Sequence, residues 1–198
     1  MNPTKRLFLL SSLGAALLLA GCKDAPSSAP VAAAPAANAT PVSLDTIAAE
    51  AQGFSVGSTM STRTVYVFFD PQCPHCAALW VAAKPLKSQA RFVWIPVSLM
   101  NANSTTQGAA ILAASDPVAA MDFHEASMRE KKGGIAAAGT DAHKEAVGRN
   151  TALMNKFGFA SIPTIVGKHA QSGETVVIDG SMPTAALAAK LGLQAPAQ

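Results

Sequence analysis

Three cysteines stand in the 198-residue chain, and two of them, Cys73 and Cys76, are separated only by Pro74 and His75. The loop such a pair can close is too small to constrain an unfolded chain much, so its use is chemical rather than stabilising. Structural zinc would need four ligands. No second cysteine pair exists, and His124, His143 and His169 lack finger-like spacing, so no metal is expected here. Covalent haem attachment wants a histidine directly after the second cysteine, where this chain has Ala77. What remains is thiol redox chemistry, in which one thiolate attacks a disulfide and a second thiol resolves the mixed disulfide. Two thiolates can also hold Cu(I), which would make the chain a metallochaperone. For that reading Met100, Met121, Met128, Met154 and Met182 are scattered and form no copper motif.

An attacking thiol must be held where its charge is stabilised. The run Thr64-Val65-Tyr66-Val67-Phe68-Phe69 is β-branched and aromatic without clean alternation, which predicts a central strand buried on both faces and stopped by Asp70-Pro71. Helical spacing follows, with Pro74 at the first helical position and Cys76, Leu79, Trp80 and Ala83 on one face. Cys73 therefore lies at a helix N-terminus, where unpaired N–H groups and the helix dipole favour negative charge. It is expected to be the exposed attacking thiol, with Cys76, one turn in and facing the core, as the resolving thiol. His75 would add an imidazole that lowers the Cys73 pKa further.

Further along, Pro85 should end or kink that helix. Arg91–Leu99 is a second strand, parallel to the first because the helix makes a crossover. Residues 101–157 are mostly helical and Ala-rich, broken at Pro117, Gly133-Gly134 and Gly139; a strand over 161–166, another over 174–178 and a helix over 183–191 complete the order. Trp80 and Trp94 read as core or groove aromatics. Asp122, His124 and Glu125, on one turn, read as a solvated helix face, and Lys131-Lys132 as a polar helix end.

Composition bounds the rest. With 49% hydrophobic and 14% charged residues, disorder throughout is excluded. Lys5-Arg6 precede an uncharged run from Leu7 to Ala20, the layout of a secretory signal and shorter than the roughly 20 residues a membrane span needs. Export places the chain where disulfides persist. Removing residues 1–21 takes two of the 15 basic residues and no acid, leaving 13 against 12. With no dense basic run, a nucleic-acid partner is not expected. Residues 22–43 read as an Ala/Pro-rich tether, 44–60 as a short helical lead-in with Gly53 as its stop, and 61–198 as one catalytic domain.

The segment TVYVFFDPQCPHC, residues 64–76, resembles the catalytic domain of the periplasmic disulfide isomerases DsbG and DsbC, nearest to DsbG. The order β-α-β, helical insert, β-β-α resembles a thioredoxin arrangement, so the fold class is α/β, thioredoxin-like with a helical insertion. The resemblance implies a cis-proline facing the cysteine pair, for which Pro163 is the candidate. Ile162 and Pro163 would then line the groove where substrate backbone pairs. It also implies reduction or isomerisation of disulfides, or reduction of sulfenic acids, in cysteine-containing envelope proteins. Electrons would come from a DsbD-like membrane reductase, and no cofactor is needed. Cys-Pro-His-Cys is also the DsbA sequence, which leaves a dithiol oxidase open.

Three departures matter. No N-terminal dimerisation domain is evident, which implies a monomer. Ile162 stands where the family usually has Thr. Val67 stands where thioredoxins carry a buried acid, so another group or water must accept the resolving thiol's proton. At the N-terminus, Leu19-Ala20-Gly21-Cys22 resembles the bacterial lipobox, which implies lipidation of Cys22. The membrane contact would be through that anchor alone, and Lys23 points to periplasmic display from the outer membrane. Acyl chains contribute about 0.8 kcal/mol per buried methylene.

Overall fold

The computed structural model describes residues 39–196. The signal segment, Cys22 and the tether up to residue 38 lie outside the described residues. The last tether residues rest on the domain: the Thr40 amide donates to the Lys156 carbonyl, and Val42 packs against buried residues.

A five-stranded sheet has the order β1-β3-β2-β4-β5. Its strands are β1 (Phe54–Gly57), β2 (Thr64–Phe69), β3 (Arg91–Pro96), β4 (Thr164–Lys168) and β5 (Thr175–Asp179). β2 lies at the centre, parallel to β3 on one side and antiparallel to β4 on the other. Alternation splits its side chains between two cores. Val65, Val67 and Phe69 face α2 (Pro74–Ala83) and α6 (Thr184–Leu191), whereas Tyr66 and Phe68 face α1 (Leu44–Glu50) and α5 (Asp141–Lys156). This double burial is why the strand reads as a continuous apolar run. Trp80 and Trp94 meet edge to face at 4.9 Å inside the first core.

The helical insert resolves into α3 (Ala102–Ala113), α4 (Pro117–Arg129) and α5, with the first break at Pro117 and the second at Gly133-Gly134 and Gly139, as the sequence marks. Each helix start is capped by a side chain or opened by proline: Asn101 caps α3, and Asp116 with Pro117 opens α4. Pro85 ends α2 and sits inside a short 3₁₀ turn, Lys84–Leu86.

Two expectations need correction. The lead-in is not only a helix: β1 adds an antiparallel edge to β3, pairing Phe54 with Trp94. Only alternate residues of this four-residue strand are buried, too few to show a period. Gly53 is not the helix stop, since α1 already ends at Glu50 with Ala51 as its C-cap. Gly53 is needed instead where β1 approaches β3, because a Cβ there would come within 2.4 Å of the Trp94 carbonyl oxygen. No helix among the described residues is long and apolar enough to cross a membrane.

Candidate active site

β2 ends at Phe69, and the fully buried carboxylate of Asp70 organises the loop that follows. Oδ1 accepts from the Gln72 amide at 2.8 Å, and Oδ2 accepts from the Leu99 and Met100 amides at 2.7 and 2.9 Å. The Asp70 carbonyl accepts from the Cys73 amide at 3.0 Å. One side chain thus ties the cysteine loop to the end of β3, with its charge met by three backbone donors. The sequence signal was Asp-Pro directly after a strand, which reads as a strand stop and hides the carboxylate's role.

Cys73 is the N-cap of α2 and Pro74 opens the helix. Both cysteines are free thiols. Cys73 is only 5% exposed, so the expectation of an exposed thiol is corrected: it lies at the floor of a cavity. The cause is the helical insert, which folds over the loop. The Cys73 thiol faces the Ile162 carbonyl oxygen at 3.7 Å, and the Ile162–Pro163 peptide is cis. The fold therefore brings Cys73, Cys76, Ile162 and Pro163 together across the gap between α2 and β4. Pro74 and His75 stay exposed on the outside of the turn.

The two thiols are driven apart in acidity. A hydrogen bond from the Cys76 thiol, the backbone amides of Cys76 and His75, and the His75 charge together outweigh burial and lower Cys73 to a pKa of about 6. Burial pushes Cys76 up, and the Cys73 sulfur adds to that rise. Near neutral pH Cys73 is therefore mostly thiolate, while Cys76 keeps its proton.

The turn read as a solvated face does not behave as one. His124 is fully buried and Glu125 is 2% exposed. Of the three acidic or imidazole groups only Asp122 reaches solvent, where it accepts from Trp80 Nε1 at 2.7 Å and pairs with Lys84. Beside Asp122, the apolar Phe123 is also exposed on this turn. The inward face of α4 runs through Met121, His124, Glu125 and Met128, spaced i, i+3, i+4, i+7. Anchoring the period on Met121 would have turned His124 and Glu125 inward.

These residues brace the cysteine loop. His124 Nε2 bonds the Pro71 carbonyl at 2.7 Å, and its Nδ1 accepts from the Ile135 amide at 3.1 Å, so the ring is neutral with the proton on Nε2. Burial, only partly offset by the bond to Pro71, lowers the His124 pKa. Gln72 donates to Gln107 of α3, which in turn donates to the Gly133 and Ile135 carbonyls at 2.7 and 3.1 Å. A cavity of about 310 Å³ remains, lined mainly by Cys73, Pro74, Ala77, Val81, Glu125 and Met128. Met128, read as scattered, therefore stands beside Cys73. Among the described residues no three His, Cys, Asp or Glu side chains gather as a metal site.

The thioredoxin-like domain family model matches residues 56–195, and the chain belongs to that family. Over 113 residues it is 32% identical to the thiol:disulfide interchange protein DsbG of Pseudomonas aeruginosa, covering 55% of this chain and 43% of that protein. Over 103 residues it is 31% identical to DsbG of Escherichia coli, covering 51% and 42%. The chain thus matches less than half the length of these curated relatives. Among solved structures, a periplasmic thioredoxin-like protein from Salmonella enterica serovar Typhimurium superposes with a TM-score of 0.60. Its identity is 16%, covering 77% of this chain and 97% of that one.

Proposed function

We propose that the protein is a thiol:disulfide oxidoreductase of the cell envelope that reduces or isomerises disulfides, or reduces sulfenic acids, in other proteins. The observation that carries this reading is the pair of opposed thiols, Cys73 lowered to about 6 at the N-terminus of α2 and Cys76 pushed up behind it. The similarity to DsbG, a thiol:disulfide interchange protein, supports the same reading.

The chemistry follows from that pair. The Cys73 thiolate attacks one sulfur of a substrate disulfide, a Cys73–substrate bond forms, and the other substrate sulfur leaves with the electron pair. If a second substrate thiolate then attacks the mixed disulfide, Cys73 is released and the substrate is isomerised. If Cys76 loses its proton and attacks Cys73 instead, the Cys73–Cys76 disulfide forms and the substrate departs reduced. The Ile162 carbonyl at 3.7 Å from the sulfur gives the substrate backbone an acceptor beside the reacting bond. Pro163 holds it there.

Reduction or isomerisation, which the similarity to DsbG supports, is put ahead of the dithiol oxidase that Cys-Pro-His-Cys also allows. Lipidation at Cys22, monomeric action in the periplasm and recharging by a DsbD-like membrane reductase belong to the same proposal. The lipobox-like Leu19-Ala20-Gly21-Cys22 supports the first of these.

The test is a trap. A Cys76→Ala variant cannot resolve its mixed disulfides, so envelope proteins should remain bound to Cys73 and be released by reductant. Recovering no disulfide-linked partner would overturn the redox reading.

A further inference from the structure

Glu125 is an acid that the chemistry above does not use, and its setting is unusual. It lies on the inward face of α4, is 2% exposed, and lines the same cavity as Cys73. Its Oε1 is buried with no hydrogen-bond partner, and it makes no ion pair among the described residues. A buried carboxyl left unpartnered costs stability whether it is charged or neutral, so packing alone does not account for it. The helix that carries it is not free to turn away, since His124, the preceding residue, is bonded to the cysteine loop at Pro71.

We infer that Glu125 tunes Cys73: as a carboxylate it opposes the Cys73 thiolate across the shared cavity and makes the reduced pair less favoured than the Cys-Pro-His-Cys turn alone would. The inference rests on Cys73 being the reactive thiol. It concerns a group acting through Cys73 and not on substrate.

The groups that act on Glu125 can be named. Arg129, exposed one turn further along α4, favours its charge; Cys73 across the cavity opposes it. His124 is neutral and directs its ring to Pro71 and Ile135, and Gln72 and Gln107 carry no charge. Asp70 is occupied by three backbone amides, and His75 lies exposed on the α2 turn. Burial dominates, Arg129 offsets part of it, Cys73 adds to it, and Glu125 is raised to about 7. Its charge therefore switches on within the range in which Cys73 is already ionised. Coupling between two like charges is reciprocal, so whatever Cys73 does to Glu125, Glu125 does to Cys73.

The consequence for redox balance can be written out. Two glutathione thiols reduce the Cys73–Cys76 disulfide to the Cys73 thiolate and the Cys76 thiol, form one glutathione disulfide and release one proton. A carboxylate beside the product thiolate moves this equilibrium back toward the disulfide form. A more easily re-oxidised dithiol is a better reductant, which suits the direction of electron flow proposed above.

The test compares wild type, Glu125→Gln, Glu125→Asp and Arg129→Gln. For each, the pH dependence of Cys73 alkylation and the glutathione equilibrium are measured. Below about pH 6 wild type and Glu125→Gln should coincide, because Glu125 is then uncharged. Above about pH 7 the Gln variant should hold about three- to tenfold more reduced protein, while its alkylation midpoint, which falls where Glu125 is still uncharged, stays with wild type. Glu125→Asp should follow wild type, and Arg129→Gln should shift the point of divergence to higher pH. Glutathione-equilibrium curves of wild type and Glu125→Gln that coincide at every pH, or that differ equally at all pH values, would overturn the inference. An alkylation midpoint near 9 in every variant would overturn the low-pKa thiol itself, a failure distinguishable from the first.

Discussion

At the scale of the residue, Glu125 and Cys73 are held in states that water would not favour, and the two have opposite effects on stability. Glu125 is raised from its ordinary value to about 7. Below its unfolded value near 4.5 it is protonated in both states and contributes nothing. As pH rises past that value the unfolded chain loses the proton first, so the cost to the fold grows and is complete above about 7. Glu125→Gln should therefore gain stability at pH 8 relative to pH 5, by at most about 3 kcal/mol, measured by chemical denaturation at the two pH values. An equal effect at both would mean the carboxyl does not titrate between them. Cys73 has the reverse sign. Its pKa is lowered, so its contribution is full above the unfolded value near 9 and fades as pH falls through about 6. These two residues also mark where sequence reading stopped. The CxxC spacing singles out Cys73 and Cys76 for thiol chemistry, because structural zinc and covalent haem both lack the neighbours they need. Glu125 looks like one polar residue among several, because whether a carboxyl is buried depends on which face of α4 meets the cysteine loop.

At the scale of the element, α4 is the part of the molecule that the amino-acid order describes least directly. A helix there is legible from Asp116-Pro117 and from the glycine break that follows, but its docking depends on contacts across 53 residues, from His124 to Pro71. Gly134 shows how tight that docking is. Its φ is +85°, and a Cβ there would lie 2.6 Å from His124 Cε1. Gly134→Ala should cost about 1–3 kcal/mol of stability. By pushing His124 off the Pro71 carbonyl, it should also move the Cys73 alkylation midpoint upward. A melting curve and alkylation curve both matching wild type would show that the cysteine loop does not depend on α4. β2 and α2 are the opposite case. Six β-branched and aromatic residues, a stop at Asp70-Pro71 and a proline-opened helix specify their placement locally, so strand and helix appear where the sequence places them.

At the scale of the whole molecule, the sheet and its two cores form the platform, and the insert converts an open thiol into one at the floor of a cavity. The proposed monomer belongs here: residues 22–198 with Cys22→Ser should sediment as a single species of monomer mass across a wide concentration range. A concentration-dependent dimer would contradict that part of the proposal. The fold class was legible because element order alone selects it, whereas the cavity was not, because it exists only after α3 and α4 fold back over the cysteine loop.

In the proposed function one low-pKa thiol, Cys73, does the chemistry while Cys76 waits protonated behind it. Ultraviolet titration of thiolate absorbance on the reduced protein tests this most directly. One thiolate should appear with a midpoint near pH 6, be lost in Cys73→Ala, and be followed by no second thiolate before the protein unfolds. A first midpoint near 9, or two thiols ionising together, would contradict the account.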